Sequence, residues 1–141
     1  MKKDENIQIT VEATVNEKIE KVWTFWTGPQ HITKWNAASD DWHTTKAENN
    51  LKDEGTFNYR MEAKDGSWGF DFEGTYSKVL LHKEISYQMS DGRGVEILFL
   101  PQGNSTLVRE TFDAESTNPI DMQRDGWQAI LNNFKKYTES N

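Results

Sequence analysis

The run from Asn118 to Tyr137 most constrains the fold, because it reads as one amphipathic helix standing behind a series of strands. Asn118 is placed as a cap and Pro119 as a first-turn residue. Ile120, Gln123, Trp127, Ile130, Leu131 and Phe134 then recur at helical spacing as one buried stripe. About 20 residues of helix are roughly 30 Å long, enough to cross a six- or seven-stranded sheet. The strands before it carry an apolar face that they cannot cover themselves. A sheet wrapped around one long terminal helix leaves a cavity between the two, so the pattern points to a small-molecule pocket. Gly126 in mid-helix costs about 1 kcal/mol relative to Ala. It marks either close packing or space left for something else.

Alternation supplies the strands. Ile7, Ile9, Val11, Ala13 and Val15 alternate with Gln8, Thr10, Glu12 and Thr14, a half-buried strand. Asn16 is expected to cap the next helix, with Glu17 in its first turn and Ile19, Val22, Trp23 and Trp26 as its buried stripe. That helix stops at Thr27-Gly28-Pro29, and Pro29 opens a second short helix running to about Trp35. Residues 36–41 read as a loop and 43–48 as a weakly patterned strand.

Phe57, Tyr59 and Met61 form one strand, and Phe70, Phe72 and Gly74 the next. Asp65-Gly66 is the hairpin signal between them. A two-residue loop pairs Met61 with Phe70, Tyr59 with Phe72 and Phe57 with Gly74, which puts the apolar residues on one face. Asn58, Arg60, Asp71 and Glu73 then face water. Ile85, Tyr87 and Met89 precede Val95, Ile97 and Phe99. Their faces agree only if Arg93 joins Asp91-Gly92 in a three-residue loop or bulge. The turn Gln102–Ser105 leads to a last strand that pairs Val108 with Phe99 and Phe112 with Val95. This register sets Glu110 opposite Ile97 on the apolar face. Either Glu110 is a polar group inside the pocket, or a bulge turns it out.

Composition narrows the function classes. The 141 residues suffice for one domain, 1–141, with a real core. A net charge of −7 repels phosphate backbones and anionic membranes, so nucleic acid is not an expected partner. No apolar run approaches the roughly 20 residues of a membrane span, so no membrane insertion is expected. Met1–Asn6 is charged and lacks the apolar segment of a secretory signal. With no cysteine in the chain, a cytoplasmic location is expected. His31, His43 and His82 share no metal-ligand spacing, and no nucleophile elbow or phosphate loop occurs, so neither metal nor cofactor is expected. Six Trp, seven Phe and four Tyr suit a pocket for flat or greasy ligands, although a well-packed core explains most of them. Arg60 and Arg109 point outward on this register.

The order strand, two short helices, about six strands, long helix is the α+β helix-grip arrangement. Five segments sharpen the likeness: Val22-Trp23, Ile32–Trp35, Gly55-Thr56-Phe57, Phe72–Tyr76 and Asp125–Leu131. With these the chain resembles the activator of heat shock protein 90 ATPase homologue family, within the START-related superfamily that also holds the polyketide cyclases. The resemblance implies a six- to seven-stranded antiparallel sheet curved around the last helix, and a ligand cavity between them. Relatives often carry a Gly pair where this chain has Glu54-Gly55, and a Pro where it reads Leu80–Lys83.

A small hydrophobic ligand, lipid or polyketide-like, is the expected partner. The candidate contacts are Trp35 from the loop side; Phe57, Tyr59, Met61, Phe70, Phe72, Tyr76, Tyr87, Ile97 and Phe99 from the sheet; and Gln123, Trp127 and Ile130 from the last helix. An enzyme of cyclase, dehydratase or hydrolase type would use the same cavity, with Glu110 as its candidate acid or base. A chaperone-accessory or other protein-interaction role would instead need an exposed apolar patch.

Overall fold

Strand pairing follows the apolar alternation along the chain. The computed structural model describes residues 7–141, so the reading of Met1–Asn6 as lacking a secretory signal lies outside the described residues. The elements are β1 (Gln8–Val15), α1 (Ile19–Thr27), α2 (Pro29–Trp35), β2 (Trp42–Asn49), β3 (Thr56–Ala63), β4 (Gly69–Leu80), β5 (Glu84–Met89), β6 (Gly94–Gln102), β7 (Ser105–Asp113) and α3 (Ile120–Ser140). The seven strands form one antiparallel sheet in the order β1-β7-β6-β5-β4-β3-β2. The sheet curves around α3, and α1 and α2 carry the chain across it from one edge strand to the other. This is an α+β helix-grip fold.

The hairpins fix which side chains face α3. Met61 pairs with Phe70, Tyr59 with Phe72 and Phe57 with Gly74, as the alternation requires. Gly66 at the tip takes φ 78, and Asp65 Oδ1 accepts a hydrogen bond from the Ser67 amide at 2.8 Å. Val95 pairs with Phe112, Ile97 with Glu110 and Phe99 with Val108, again as expected.

The β5–β6 hairpin differs in one respect. Its loop has the expected length, but it consists of Ser90-Asp91-Gly92, and Arg93 instead bonds across to Met89 at 2.8 Å. Tyr87 therefore pairs with Val95 and Ile85 with Ile97. A shift of two residues preserves the faces, so alternation alone does not detect it.

Two expected caps are also corrected. Asn16 does not cap α1: that helix begins after Lys18 with no side-chain cap, and the Asn16 amide donates to Glu139 Oε2 at 2.7 Å. Asn118 does not cap α3, which begins after Pro119. The Asn118 amide and side chain both donate to the Glu115 carboxylate, which also accepts from the Thr117 amide. Glu115 thus organises the turn entering the helix. At residue 54, φ is 70, a left-handed conformation that costs a side chain roughly 1–2 kcal/mol. A glycine would adopt this conformation without that cost.

The helix α3 leans toward one side of the sheet. Leu131 and Phe134 are fully buried, and Phe134 meets Trp26 and Trp35 with ring centroids 4.7 and 4.9 Å apart. These rings lock α1, α2 and α3 together. The polar flank of α3 closes the free edge of β1. Gln128 donates to the Glu12 carbonyl at 3.0 Å, and Lys135 to the Thr14 carbonyl at 2.7 Å. With Glu139 on the Asn16 amide, three edge groups of β1 are satisfied by one face of the helix.

Two glycines make opposite demands. A Cβ at Gly74 would lie 2.6 Å from the Gln88 carbonyl oxygen and 2.9 Å from the Phe57 ring. A Cβ at Gly126 would meet nothing within 4 Å, so close packing does not require glycine there. Gly74→Ala is expected to destabilise the fold by about 1–3 kcal/mol through forced displacement of Phe57. Gly126→Ala is expected to stabilise it by up to about 1 kcal/mol. Urea denaturation of the two variants measures both; a destabilising Gly126→Ala would show that the helix uses the bare backbone.

Candidate ligand-binding cavity

Because α3 rests on β1 and the short helices, β3, β4 and β5 stand away from it. The space between is a cavity of ≈ 290 Å³. The inward-facing alternate residues of those strands form its floor: Phe57, Tyr59 and Met61 from β3, Phe70, Phe72 and Tyr76 from β4, and Ile85, Tyr87 and Met89 from β5. Trp127 and Ile130 of α3 form its roof, and Trp26 and Trp35 close one end.

Eleven of the thirteen expected contact residues line this cavity: Trp35, Phe57, Tyr59, Met61, Phe70, Phe72, Tyr76, Tyr87, Ile97, Trp127 and Ile130. Phe99 and Gln123 do not. Phe99 is fully buried beneath α1, edge-on to Trp23 at 5.2 Å and Trp26 at 5.9 Å. Its strand face was read correctly, but that far along β6 the concave side is covered by α1. Gln123 is spent on the turn before α3: it accepts from the Glu115 amide and donates to the carbonyls of Glu115 and Asn118. Gly126 is not among the lining residues either, so it does not mark the cavity.

The aromatic walls hold one another in place. Trp127 stacks on Phe112 at 3.9 Å with a 13° tilt and reaches Phe72 edge-on at 6.4 Å. It thereby bridges α3 to the far strands. Phe57 lies within 5.6 Å of Tyr59, Phe72, Tyr76 and Tyr87, a continuous floor of rings. Phe70 is at the rim, part of an exposed cluster with Trp42 and Trp68.

A few polar groups interrupt this lining. Thr27, Asn36, Asn49 and Arg93 were not expected there. Asn36 and Asn49 sit at the ends of α2 and β2, where a sequence carries no periodic signal. Asn49 donates to the Thr27 carbonyl at 2.8 Å. The side-chain Nδ2 of Asn36 is buried with no protein partner. Ile85 and Met89 continue the alternation of Tyr87 and were legible from it.

Glu110 is the decisive group. No bulge turns it out: it lies between Val11 on one neighbouring strand and Ile97 on the other, 5 % exposed and lining the cavity. Burial pushes its carboxyl up to about 8, with no charge or hydrogen bond offsetting the desolvation. Burial also raises the phenols of Tyr59, Tyr76 and Tyr87, so all three stay neutral. Arg60 is held outside by Glu62 and Asp71, and Arg109 by Glu12. Among the described residues, no cluster of three or more His, Asp or Glu could hold a metal ion.

A carboxyl protonated more tightly in the folded than in the unfolded chain makes stability fall as pH rises between the two pKa values. The folded protein is therefore expected to lose several kcal/mol between about pH 4.5 and 8 from Glu110 alone. Glu110→Gln is expected to remove this slope. Urea midpoints at pH 5, 6.5 and 8 measure it; equal slopes in the two proteins would place the carboxyl in water.

The whole-chain comparisons agree with this architecture. Residues 16–139 match the family model described as activator of Hsp90 ATPase homolog 1-like protein. The solution structure of the AHSA1-like protein from Aeromonas hydrophila is 46% identical, with a TM-score of 0.90 over 95% of this chain and 93% of that one. A solution structure from Cytophaga hutchinsonii is 53% identical, with a TM-score of 0.82 over the same shares. A crystal structure from Nitrosomonas europaea shares the fold at 14% identity, with a TM-score of 0.80 over 94% of each chain. No curated protein matches.

Proposed function

We propose that this chain, which belongs to the activator of Hsp90 ATPase homolog 1-like family, binds a small hydrophobic or aromatic molecule between α3 and the sheet. The observation that carries this reading is the ring-lined cavity between Trp127 and the floor of β3, β4 and β5. Its volume is ≈ 290 Å³, near the lower end of small-molecule sites at about 300 Å³. That is the share of about ten water molecules in the liquid. The size favours a compact, flat ligand of a few rings, polyketide-like, over a long-chain lipid. A cysteine-free chain suits a cytoplasmic setting.

A second reading has its own support. A buried carboxyl with a pKa of about 8 is matched to acid–base work near neutral pH. An enzyme of cyclase or dehydratase type would use Glu110 on a ligand lying in the same cavity. Exposed Trp68, packed against Trp42 beside Phe70, is the surface on which a protein-partner role would rest.

An NMR titration with a flavonoid, a fatty acid and a sterol tests the binding reading. Saturable shifts confined to residues 57–61, 70–76 and the Trp127 indole are expected, strongest for the flavonoid. Trp127→Ala is expected to weaken binding by about five- to a hundredfold, since a stacked indole carries about 1–3 kcal/mol. Silence across the panel would sink the proposal and leave the enzyme or protein-partner reading.

A further inference from the structure

The cavity has more chemistry than an apolar slot needs. A strand register that places a carboxyl among Val11, Ile97 and the cavity rings leaves that carboxyl no partner of its own. A cavity wall of Val, Leu or Phe at this position would be cheaper. Groups of this kind, buried and unpaired in a concave site, point to a ligand atom as the missing partner.

We infer that the ligand is a hydrophobic amine, whose protonated nitrogen pairs with the Glu110 carboxylate while its rings lie on the aromatic floor. The inference rests on the binding reading above and adds the ligand's charge to it.

Three observations favour a cation over a neutral hydroxyl or an anion. First, Glu110 is the sole carboxyl lining the cavity, and its oxygens take part in no hydrogen bond or ion pair among the described residues. Second, the surrounding side chains present ring faces, and the negative face of an aromatic ring attracts an ammonium or guanidinium. Tyr87 on β5 interacts electrostatically with Glu110, and Tyr59 and Tyr76 line the same cavity; burial keeps all three neutral. Third, the chain carries a net charge of −7, so its field draws cations toward the cavity mouth.

Arg93 does not fill the role. It lines the cavity, but its Nε donates to Asp91 at 2.8 Å within the β5–β6 hairpin, and no ion pair links it to Glu110. Asn36 also lines the cavity, but its unpartnered Nδ2 is fully buried and offers a ligand no donor.

Proton linkage follows from the pairing. The free carboxyl holds its proton at neutral pH, and the bound one must release it to pair with an ammonium. Binding an amine at pH 7 is therefore expected to release about one proton per site. Binding a neutral analogue is expected to release none.

Tryptamine, tryptophol and indole-3-acetate share one ring system and differ in charge, so they serve as probes. Calorimetry at pH 7 in two buffers of different ionisation enthalpy reads both affinity and proton release. Tryptamine is expected to bind at least tenfold tighter than tryptophol, with indole-3-acetate weakest. Glu110→Gln, nearly isosteric with the neutral acid, is expected to abolish the preference for tryptamine over tryptophol. The labelled Glu110 carboxyl needs no variant: its titration midpoint is expected to fall by more than two pH units when tryptamine is bound. Equal binding of tryptamine and tryptophol, or an unmoved midpoint, overturns the inference and leaves the cavity as a neutral-ligand site. Tighter binding of tryptophol would make Glu110 a neutral hydrogen-bond donor instead. If none of the three shifts a cavity resonance, the binding reading fails and this inference with it.

Discussion

The position of α3 against the free edge of β1 governs the rest of the molecule. Edge strands present unpaired amides and carbonyls, and proteins must cover or blunt them. Here one flank of the helix does so: Gln128, Lys135 and Glu139 reach the Glu12 and Thr14 carbonyls and the Asn16 amide. Their spacing of seven and four residues keeps all three on one helical face. Phe134 adds the apolar half of the anchor between Trp26 and Trp35. A helix held to one side of a curved sheet cannot also touch the strands opposite. Side chains must bridge the gap, and large rings at Phe57, Phe72 and Tyr87 bridge it only in part. The cavity is thus a consequence of where the helix is fastened.

The carboxyl of Glu110 is costly, and the sheet gives it no escape. Both neighbouring strands pair with β7 in unbroken register at this residue, so its side chain must share the face of Val108 and Phe112. A bulge would turn Glu110 outward, but it would also throw one of those two out of the core. The fold therefore retains a neutral acid where an apolar residue would be more stable. Local rules broken without a structural return concentrate at functional sites. Glu110 fits that pattern; Asn36 and Thr138 also bury an unpartnered polar atom, but neither is ionisable. Gln123, Thr44 and Thr106, also buried, each have protein partners that explain them.

Much of this was legible in the sequence, and the reasons are specific. The seven strands, the three helices and most of the cavity floor follow from periods of two and 3.6 residues, which depend only on which side chains must leave water. The placement of Glu110 opposite Ile97 followed from loop arithmetic at Gly103-Asn104. What failed was chemistry that periodicity does not encode. Asn16 and Asn118 carry cap-type side chains, but a tertiary partner, Glu139, takes the Asn16 amide, and a local one, Glu115, takes the Asn118 amide and side chain. The slip of two residues between β5 and β6 kept every face intact, so no pattern could reveal it. Gln123 lay on the correct stripe but one turn short of the cavity. Asn36 and Arg93, at element ends, entered the lining through geometry alone.

The division of labour within the cavity bears on selectivity. Ring walls give affinity to nearly any flat molecule, and a missing methylene in such a wall discriminates by only about 1–3 kcal/mol. A site built to satisfy a buried polar group rejects ligands that cannot, because an unpaired buried donor or acceptor costs about 1–3 kcal/mol and a charged one more. Glu110 supplies such a demand in this cavity. A plain hydrocarbon entering it would displace whatever water Glu110 can reach and replace it with nothing. On the binding reading proposed above, the rings would set how tightly a ligand is held, and Glu110 would set which flat molecules are accepted.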